Sequence, residues 1–249
     1  MDRNKKNILT IISSILVFFI VWTVLAFFTH SELILPSPVE VLTKIISLWG
    51  EKTFWLALYA TFLRCILSYV FSFLLAVFFG ITFNLFPLFK TFMSFSFAII
   101  KVTPVISFIL IAVFWFKTNT VPYFIATLMI LPILTAGFTS AIGSVDSNLL
   151  EMAKVYALSK KQIIVSIYFP WILPLLKTPM LTAFSQTWKV VLAAEILCLP
   201  SKGIGSTLYE AKMHLETAEV FALTVSVIVL CFILENLFEL LFAKLEVKK

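Results

Sequence analysis

Residues 65–89 read CILSYVFSFLLAVFFGITFNLFPLF and contain no Asp, Glu, Lys or Arg. A run this apolar has to be removed from water when the chain folds. About 20 predominantly apolar residues are enough for an α-helix to cross the hydrocarbon core of a bilayer, which is about 30 Å thick. The run therefore predicts a membrane-spanning helix, and we interpret the chain as an all-α membrane protein.

The composition of the whole chain supports this interpretation. It is 61% hydrophobic with a mean hydropathy of +1.06, and only 13% of its residues are charged, against about a quarter in soluble domains. Residues 8–28 and 118–145 are also free of charged side chains. These runs lack the alternation that spanning β-barrels require. The run at residues 8–28 is longer than the 7–15 apolar residues of a secretory signal, so we expect it to form the first span.

We predict six transmembrane helices in a single domain that covers residues 1–249. With the N-terminus in the cytosol, the inside segments carry ten Lys and Arg residues and the outside segments carry five. Because cytosolic loops are enriched in Lys and Arg, this bias predicts that both termini and the 145–171 loop are cytosolic. The net charge of +6 is thus a feature of topology rather than of nucleic-acid binding. The predicted spans are 8–29, 57–86, 91–116, 121–144, 172–198 and 218–240.

The 145–171 loop is polar and helix-forming, and residues 151–170 read EMAKVYALSKKQIIVSIYFP. Asp146 can cap a helix that runs to about Ala157. Ser159 and Gln162 have the spacing of a capping box, which predicts a second helix, and Pro170 then leads into the fifth span. We therefore expect a helix, a sharp turn and a helix on the cytosolic side.

A short helix is also predicted in the first outside loop. Ser37 suits an N-cap, Pro38 suits the first helical position, and Glu40 falls where a capping box needs it. Apolar residues then recur at helical spacing as far as Gly50, which we expect to end the helix. This amphipathic helix should lie on the outer membrane surface or against the other spans.

The 151–170 stretch resembles the EAA loop of ABC transporter permeases, whose pattern is E-A-A-x3-G-x9-I-x-L-P. The matching residues are Glu151, Ala153, Ile167 and Pro170; the departures are Met152, Ala157 and Phe169. Further stretches resemble nitrate/taurine/sulfonate-type permeases in the expected order. They are LPSPVEVL at 35–42, TFLR at 61–64, WKVVLAAE at 188–195, and Gly203-Ile204-Gly205 in an outside loop.

The resemblance implies a type I ABC importer permease fold, in which the loop is a coupling helix that docks into an ATPase. It also implies a multi-pass subunit of a bacterial inner membrane, paired with a second permease copy, most simply an identical one. A separate cytosolic ATPase dimer would hold ATP and Mg, and an external binding protein would deliver the solute. That solute would be a small anion such as nitrate, a sulfonate or taurine, or a small heterocyclic nutrient. The expected coupling residues are Glu151, Met152, Ala153, Ala157, Ser159, Ile167 and Pro170.

Ionisable residues inside spans are costly and need an explanation. We expect Lys101, Trp188 and Lys189 to line the translocation pathway and to favour an anion. Pro104 and Glu195 are further pathway candidates, with a scaffold or gate role as the alternative for Glu195. Pro104 should also kink the third span. The competing interpretation is that these charges pair with other spans or snorkel to the interface. We expect Arg64 to be an interfacial anchor and Lys177 to snorkel inward.

The sequence also bears on other classes of function. The chain contains no G-x4-G-K-[ST] phosphate loop, so we do not expect it to bind ATP alone. It also shows no nucleophile–base arrangement and no metal-ligand spacing, so we predict neither catalysis nor a cofactor or metal on this chain. One alternative is a secondary transporter driven by an ion gradient, with Lys101 and Glu195 as relay groups. Another is a membrane enzyme or assembly factor without a transport role.

Overall fold

The computed structural model describes residues 3–247, and the regular secondary structure of this part of the chain is helical. Five of its helices are long and apolar enough to cross a membrane, and two shorter ones form a bent pair. The α-helices are α1 (Arg3–Thr29), α2 (Pro38–Gly50), α3 (Lys52–Leu85), α4 (Pro87–Val102), α5 (Val105–Trp115), α6 (Val121–Gly143), α7 (Ser147–Val155), α8 (Lys160–Ile163), α9 (Phe169–Cys198), α10 (Ile204–Met213) and α11 (Thr217–Val247).

The third predicted span, 91–116, was expected to be one kinked helix, and that expectation is wrong. The structure has two helices there, α4 and α5, and their axes meet at 104°. Thr103 adopts an extended conformation with φ −71° and ψ 130°. Proline disfavours the helical conformation of the preceding residue and has no N–H to continue the helical hydrogen bonds. The pair Thr103-Pro104 therefore breaks this span instead of bending it.

Hydrogen bonds between α3 and α6 show how many times the chain crosses the bundle. Ser68 donates to the Tyr123 carbonyl, Ser72 to the Thr127 carbonyl and Asn84 to the Thr139 carbonyl. These three long-range bonds have the same sequence separation of 55 residues, so α3 and α6 run parallel. Parallel neighbours need a connection that returns to the starting side. The bent pair α4–α5 therefore crosses the membrane, and the six predicted crossings are retained.

The order of the remaining helices follows from other contacts. Helix α9 runs antiparallel to α3, since Thr61 contacts Glu195 and Tyr69 donates to the Met180 carbonyl. We call the end of the bundle that carries residues 85–90 and 144–169 the α7 end. The opposite end, which carries α2 and residues 199–216, is the α10 end. The main core lies between α3, α6 and α9 and includes Ala76, Ile125, Ile130, Leu134, Ala183 and Val191.

The predicted outside helix is α2, and it packs on α11. Ser37 and Glu40 form the predicted capping box, while Val41, Ile45 and Leu48 are buried in a second apolar cluster. The helix ends at Gly50, as predicted, but without the left-handed glycine that often ends a helix. No glycine in the described part of the chain has a left-handed conformation. Helix α3 begins at Lys52, before the predicted position 57.

Candidate functional site

The loop at the α7 end has the predicted local structure. The Asp146 carboxylate accepts a hydrogen bond of 2.9 Å from the Asn148 N–H and caps α7. Ser159 and Gln162 form the predicted capping box at the start of α8. Between the two helices Ala157 is left-handed, with φ 50°. The Leu158 N–H donates to the Ala153 carbonyl at 2.9 Å, which closes a Schellman turn. The sharp turn is thus confirmed, with alanine in the position that glycine favours.

The second helix of the loop is not the separate unit that the sequence suggested. Helix α8 continues through a π-helical turn, Ile164–Tyr168, into α9. The result is a continuous helix from Lys160 to Cys198. Pro170 explains the irregular turn, because a proline has no N–H for the usual bond to the carbonyl four residues earlier. Any displacement of the loop therefore acts on the fifth span through an unbroken helix.

Helix α7 turns one face inward and one face outward. Ala153 is fully buried, and Ile167 from the π-helical turn is almost fully buried. Four residues on the other face are exposed: Glu151, Met152, Val155 and Tyr156. Their spacing places them on one side of the helix. Val155 is 83% exposed and Tyr156 is 72% exposed. We call this patch of four residues the coupling surface.

The turn at Ala157 gives a direct stability prediction. A left-handed conformation costs a residue with a Cβ about 1–2 kcal/mol, and glycine avoids that cost at a smaller entropic penalty. We expect Ala157→Gly to raise the free energy of unfolding by about 0.5–1 kcal/mol, seen as a higher melting temperature of the detergent-solubilised protein.

A glycine placed inside α7 supplies the control for that measurement. Ala153→Gly should lower the melting temperature, because glycine costs about 1 kcal/mol in a helix interior. A lower melting temperature for Ala157→Gly as well would show that residue 157 is helical in solution.

At the α10 end, a buried carboxylate joins three helices. Glu195 of α9 is fully buried, and its Oε1 lies 2.5 Å from Nη1 of Arg64 on α3. Thr61 of α3 donates to the same carboxylate at 2.9 Å, and the Gly205 N–H at the start of α10 donates at 2.9 Å. The Ile204 N–H donates to Thr61 in turn. We call these residues the Glu195 cluster.

Two glycines make room for this cluster. A Cβ on Gly205 would lie 2.4 Å from the Glu195 Cβ and 2.8 Å from the Leu192 carbonyl oxygen. A Cβ on Gly203 would lie 2.7 Å from the Glu195 carboxyl carbon. All three distances are shorter than van der Waals contact, and at Gly205 the obstructing atoms include the backbone of α9, so glycine there lets α10 approach α9 this closely. The Gly203-Ile204-Gly205 stretch thus has a structural role in the described chain.

The Glu195 cluster changes two expectations. Arg64 was expected to be an interfacial anchor; that is wrong, since it is only 5% exposed and donates to Glu195 and to the Lys202 carbonyl. Glu195 was expected to face the pathway, and its placement does not support this, because its carboxylate is enclosed. The sequence did contain a usable signal. The two opposite charges lie near the same end of their spans, and buried charges need partners.

The other intramembrane candidates are divided between two places. Lys101 lines a cavity of about 770 Å³ between α3, α4 and α6, which we call the α4 cavity. Lys189 instead lines a groove between α9 and α11, beside Glu235. Pro104 lies at the break between α4 and α5. A single pathway lined by both lysines of one chain, as the sequence suggested, is therefore not what this placement supports.

Trp188 and Lys177 of α9 each contact a neighbouring helix. Trp188 is buried against Phe62, and its indole N–H has no hydrogen-bond partner among the described residues. Lys177 was expected to snorkel, but its Nζ lies 2.9 Å from a carboxylate oxygen of Glu239 on α11. Beside Lys189, Ser185 donates to the Glu235 carboxylate. The Lys177–Glu239 and Ser185–Glu235 contacts therefore join α9 to α11.

Comparisons with known proteins assign this arrangement to a family. A family model described as binding-protein-dependent transport system inner membrane component matches residues 72–247, which is most of the chain. The chain is also 24% identical over 220 residues to the taurine transport system permease protein TauC of Escherichia coli (strain K12), covering 86% of this chain and 80% of that protein. These findings confirm the resemblance carried by the loop and by the later motifs. The chain belongs to the family of binding-protein-dependent transport system inner membrane components.

Proposed function

We propose that this permease works in an ATP-driven importer as a pair of identical chains, with an ATPase subunit bound to α7 of each. A solute-binding protein would dock at the α10 end. In this arrangement the α7 end and both termini face the cytosol, as the distribution of Lys and Arg residues favours. ATP and Mg would be bound by the partner ATPase, and this chain would carry out no chemistry.

The coupling surface is the observation that carries the proposal. Val155 and Tyr156 are large apolar side chains on a short polar helix that lies outside the spans. Exposed apolar residues that cluster on one face indicate a protein contact. Their neighbour Glu151 adds an exposed carboxylate that a basic group on the partner can recognise. A docking role for α7 explains why these side chains are not packed against the bundle.

The opposite end offers a surface of a different kind. Helices α2 and α10 lie there, and Lys44 of α2 forms ion pairs with Glu216 and Glu219, at 3.4 and 2.8 Å. The hydrogen bond to Glu219 raises the pKa of Lys44 above its usual value. These two ion pairs link α2 to the start of α11 and give this end a polar, ordered surface. We propose it as the docking site of the binding protein.

The helix connections suggest how force from ATP binding would cross the membrane. Closure of the ATPase dimer would move α7, and the Ala157 turn joins α7 directly to the continuous helix that ends at Cys198. Near that far end the Glu195 cluster ties α9 to α3 and α10. A displacement at α7 would therefore move three helices together and shift the equilibrium between inward- and outward-facing packings.

The transported solute is proposed from two sources. The relative named above is a taurine permease protein, and Lys101, which lines the α4 cavity, favours a small anion. Of the solutes considered above, nitrate and the sulfonates carry the negative charge that a lysine-lined cavity selects. The alternative of an ion-gradient transporter is less well supported, because Glu195, its expected relay group, is enclosed in an ion pair.

Reconstitution tests this function. The permease, its ATPase and a binding protein, placed in liposomes, should show solute uptake that requires ATP and survives collapse of the ion gradients by ionophores. Uptake by the permease alone, driven by an imposed proton or sodium gradient without ATP, would contradict the proposal and support a secondary transporter.

A further inference from the structure

The α4 cavity lies between apolar helices, yet many of its lining side chains are polar. It occupies about 770 Å³, within the range of pockets that take small ligands. One wall is the face of α4 that carries Lys90, Ser94 and Lys101. The facing wall is formed by α6 and includes Thr135 and Thr139.

Helical geometry explains why the two lysines line the same wall. Lys90 and Lys101 are eleven residues apart, which is close to three full turns, so both point from one face of α4 and lie about 16 Å apart along its axis. Lys90 is at the α7 end, and Lys101 is three turns deeper. On α6, Thr135 is also deep, about 12 Å along the helix from Gly143.

The charges of the cavity are all of one sign. Its lining contains two lysines and no Asp or Glu. Neither lysine has an ion-pair partner among the described residues. Lys101 lies in the last turn of α4, where the helix dipole favours a cation, but Lys90 lies in the first turn, where the dipole disfavours one. Lys90, which is exposed, therefore has neither an ion-pair partner among the described residues nor a favourable helix dipole.

A buried hydroxyl adds an independent observation. Thr135 is only 2% exposed, and its Oγ1 has no hydrogen-bond partner among the described residues. Leaving a buried polar group unpaired is energetically costly. By contrast, Ser94 and Thr139 each donate to a carbonyl of their own helix. Thr135 is thus a free donor in the wall of a cavity that also holds two free ammonium groups.

We propose that the α4 cavity binds an oxyanion, either a sulfonate or a phosphate group, with Lys101 and Thr135 as its deep donors and Lys90 as its outer donor. An anion at the deep end would accept from the orphaned Thr135 hydroxyl and pair with Lys101, while Lys90, about 16 Å away along the helix axis, would attract it at the outer end. The anion has two possible sources, the transported solute or the headgroup of an anionic lipid. Only the first source rests on the importer function proposed above.

The test measures binding to the purified permease without ATPase or ATP. Methanesulfonate and inorganic phosphate are titrated in detergent at constant ionic strength, and retention of phosphatidylglycerol is measured in parallel by native mass spectrometry. Lys101→Met and Lys90→Met should each weaken binding by about tenfold, and Thr135→Val should weaken it less. Methionine keeps the length of the side chain, so packing should change little.

Lys189→Met is the matched control, because Lys189 is an intramembrane lysine outside this cavity. It should bind each probe like the wild type. Displacement of phosphatidylglycerol by methanesulfonate would assign the site to the solute, and lysine-dependent lipid retention without displacement would assign it to lipid; either supports an oxyanion site.

Two results would overturn the proposal. One is wild-type binding no stronger than that of the Lys90→Met/Lys101→Met double variant, provided that the variant melts at the wild-type temperature. The other is equal weakening by Lys189→Met, which would show a general charge effect. If the wild-type permease binds the probes but shows no ATP-driven uptake with its partners in liposomes, the importer function is contradicted and the site is not.

Discussion

Glu195→Ala is expected to prevent the protein from accumulating in a folded form. The substitution leaves the Arg64 guanidinium buried at 5% exposure without its carboxylate partner. Removing one partner of a buried ion pair costs about 3–5 kcal/mol, because the remaining charge stays in a low-dielectric site. That is a large fraction of the roughly 5–15 kcal/mol that stabilises a typical domain. The yield of monodisperse protein after detergent extraction measures the effect.

A double variant separates the stranded charge from simple loss of contacts. Arg64→Met alone should also reduce the yield, since it leaves the Glu195 carboxylate without its cation. Combining Arg64→Met with Glu195→Gln removes both charges and keeps an amide oxygen that can accept from Thr61 and Gly205. We expect this double variant to recover much of the lost yield.

Lys177→Met provides the control for these variants. It breaks the ion pair between Lys177, whose side chain is 30% exposed, and Glu239, whose side chain is 53% exposed. Such partly solvated pairs contribute about 1 kcal/mol or less to the free energy of unfolding. Its yield should therefore stay near that of the wild type. Normal yields for both Glu195→Ala and Arg64→Met would show that the pair contributes little to the fold.

Glu151→Lys is expected to abolish ATP-driven uptake while the protein remains folded. Glu151 lies on the exposed side of α7, and substitutions at exposed sites change stability by about 0.5 kcal/mol or less. Reversing its charge places a cation in the proposed contact with the ATPase, and like charges in an interface are costly. Co-purification of the ATPase with the variant, together with uptake in liposomes, measures the effect.

A charge reversal at the other end of the molecule shows whether the effect is local. Glu210 is an exposed acid on α10, so Glu210→Lys changes the net charge equally but lies far from α7. This variant should retain the ATPase at wild-type stoichiometry. Full ATPase binding and normal uptake by Glu151→Lys would remove this residue from the proposed contact.

The features predicted best were those decided over a few residues. The caps at Ser37, Asp146 and Ser159 and the turn at Ala157 depend on bonds between residues at most five positions apart. The number of crossings followed equally well, because a long apolar run has to be removed from water wherever it packs. The roles proposed for these loop residues in coupling stay predictions.

The break at Thr103-Pro104 was predicted only in part. The sequence predicted a distortion there because proline removes a helical hydrogen bond. It predicted one kinked helix, whereas the structure has two helices whose axes meet at 104°. That angle is set by how α4 and α5 pack against α3 and α6, and residue pattern alone does not specify such packing.

The sequence by itself determined the membrane class, the number of crossings, the caps and the family. Only the tertiary structure decided that Arg64 meets Glu195 across 131 residues of chain, and that Lys101 and Lys189 line different cavities. The sequence of a span shows which charged residues it carries, but not which neighbouring helix those residues face. Its partner is chosen by the rotation and register of helices that pack together, and these depend on contacts along the whole bundle.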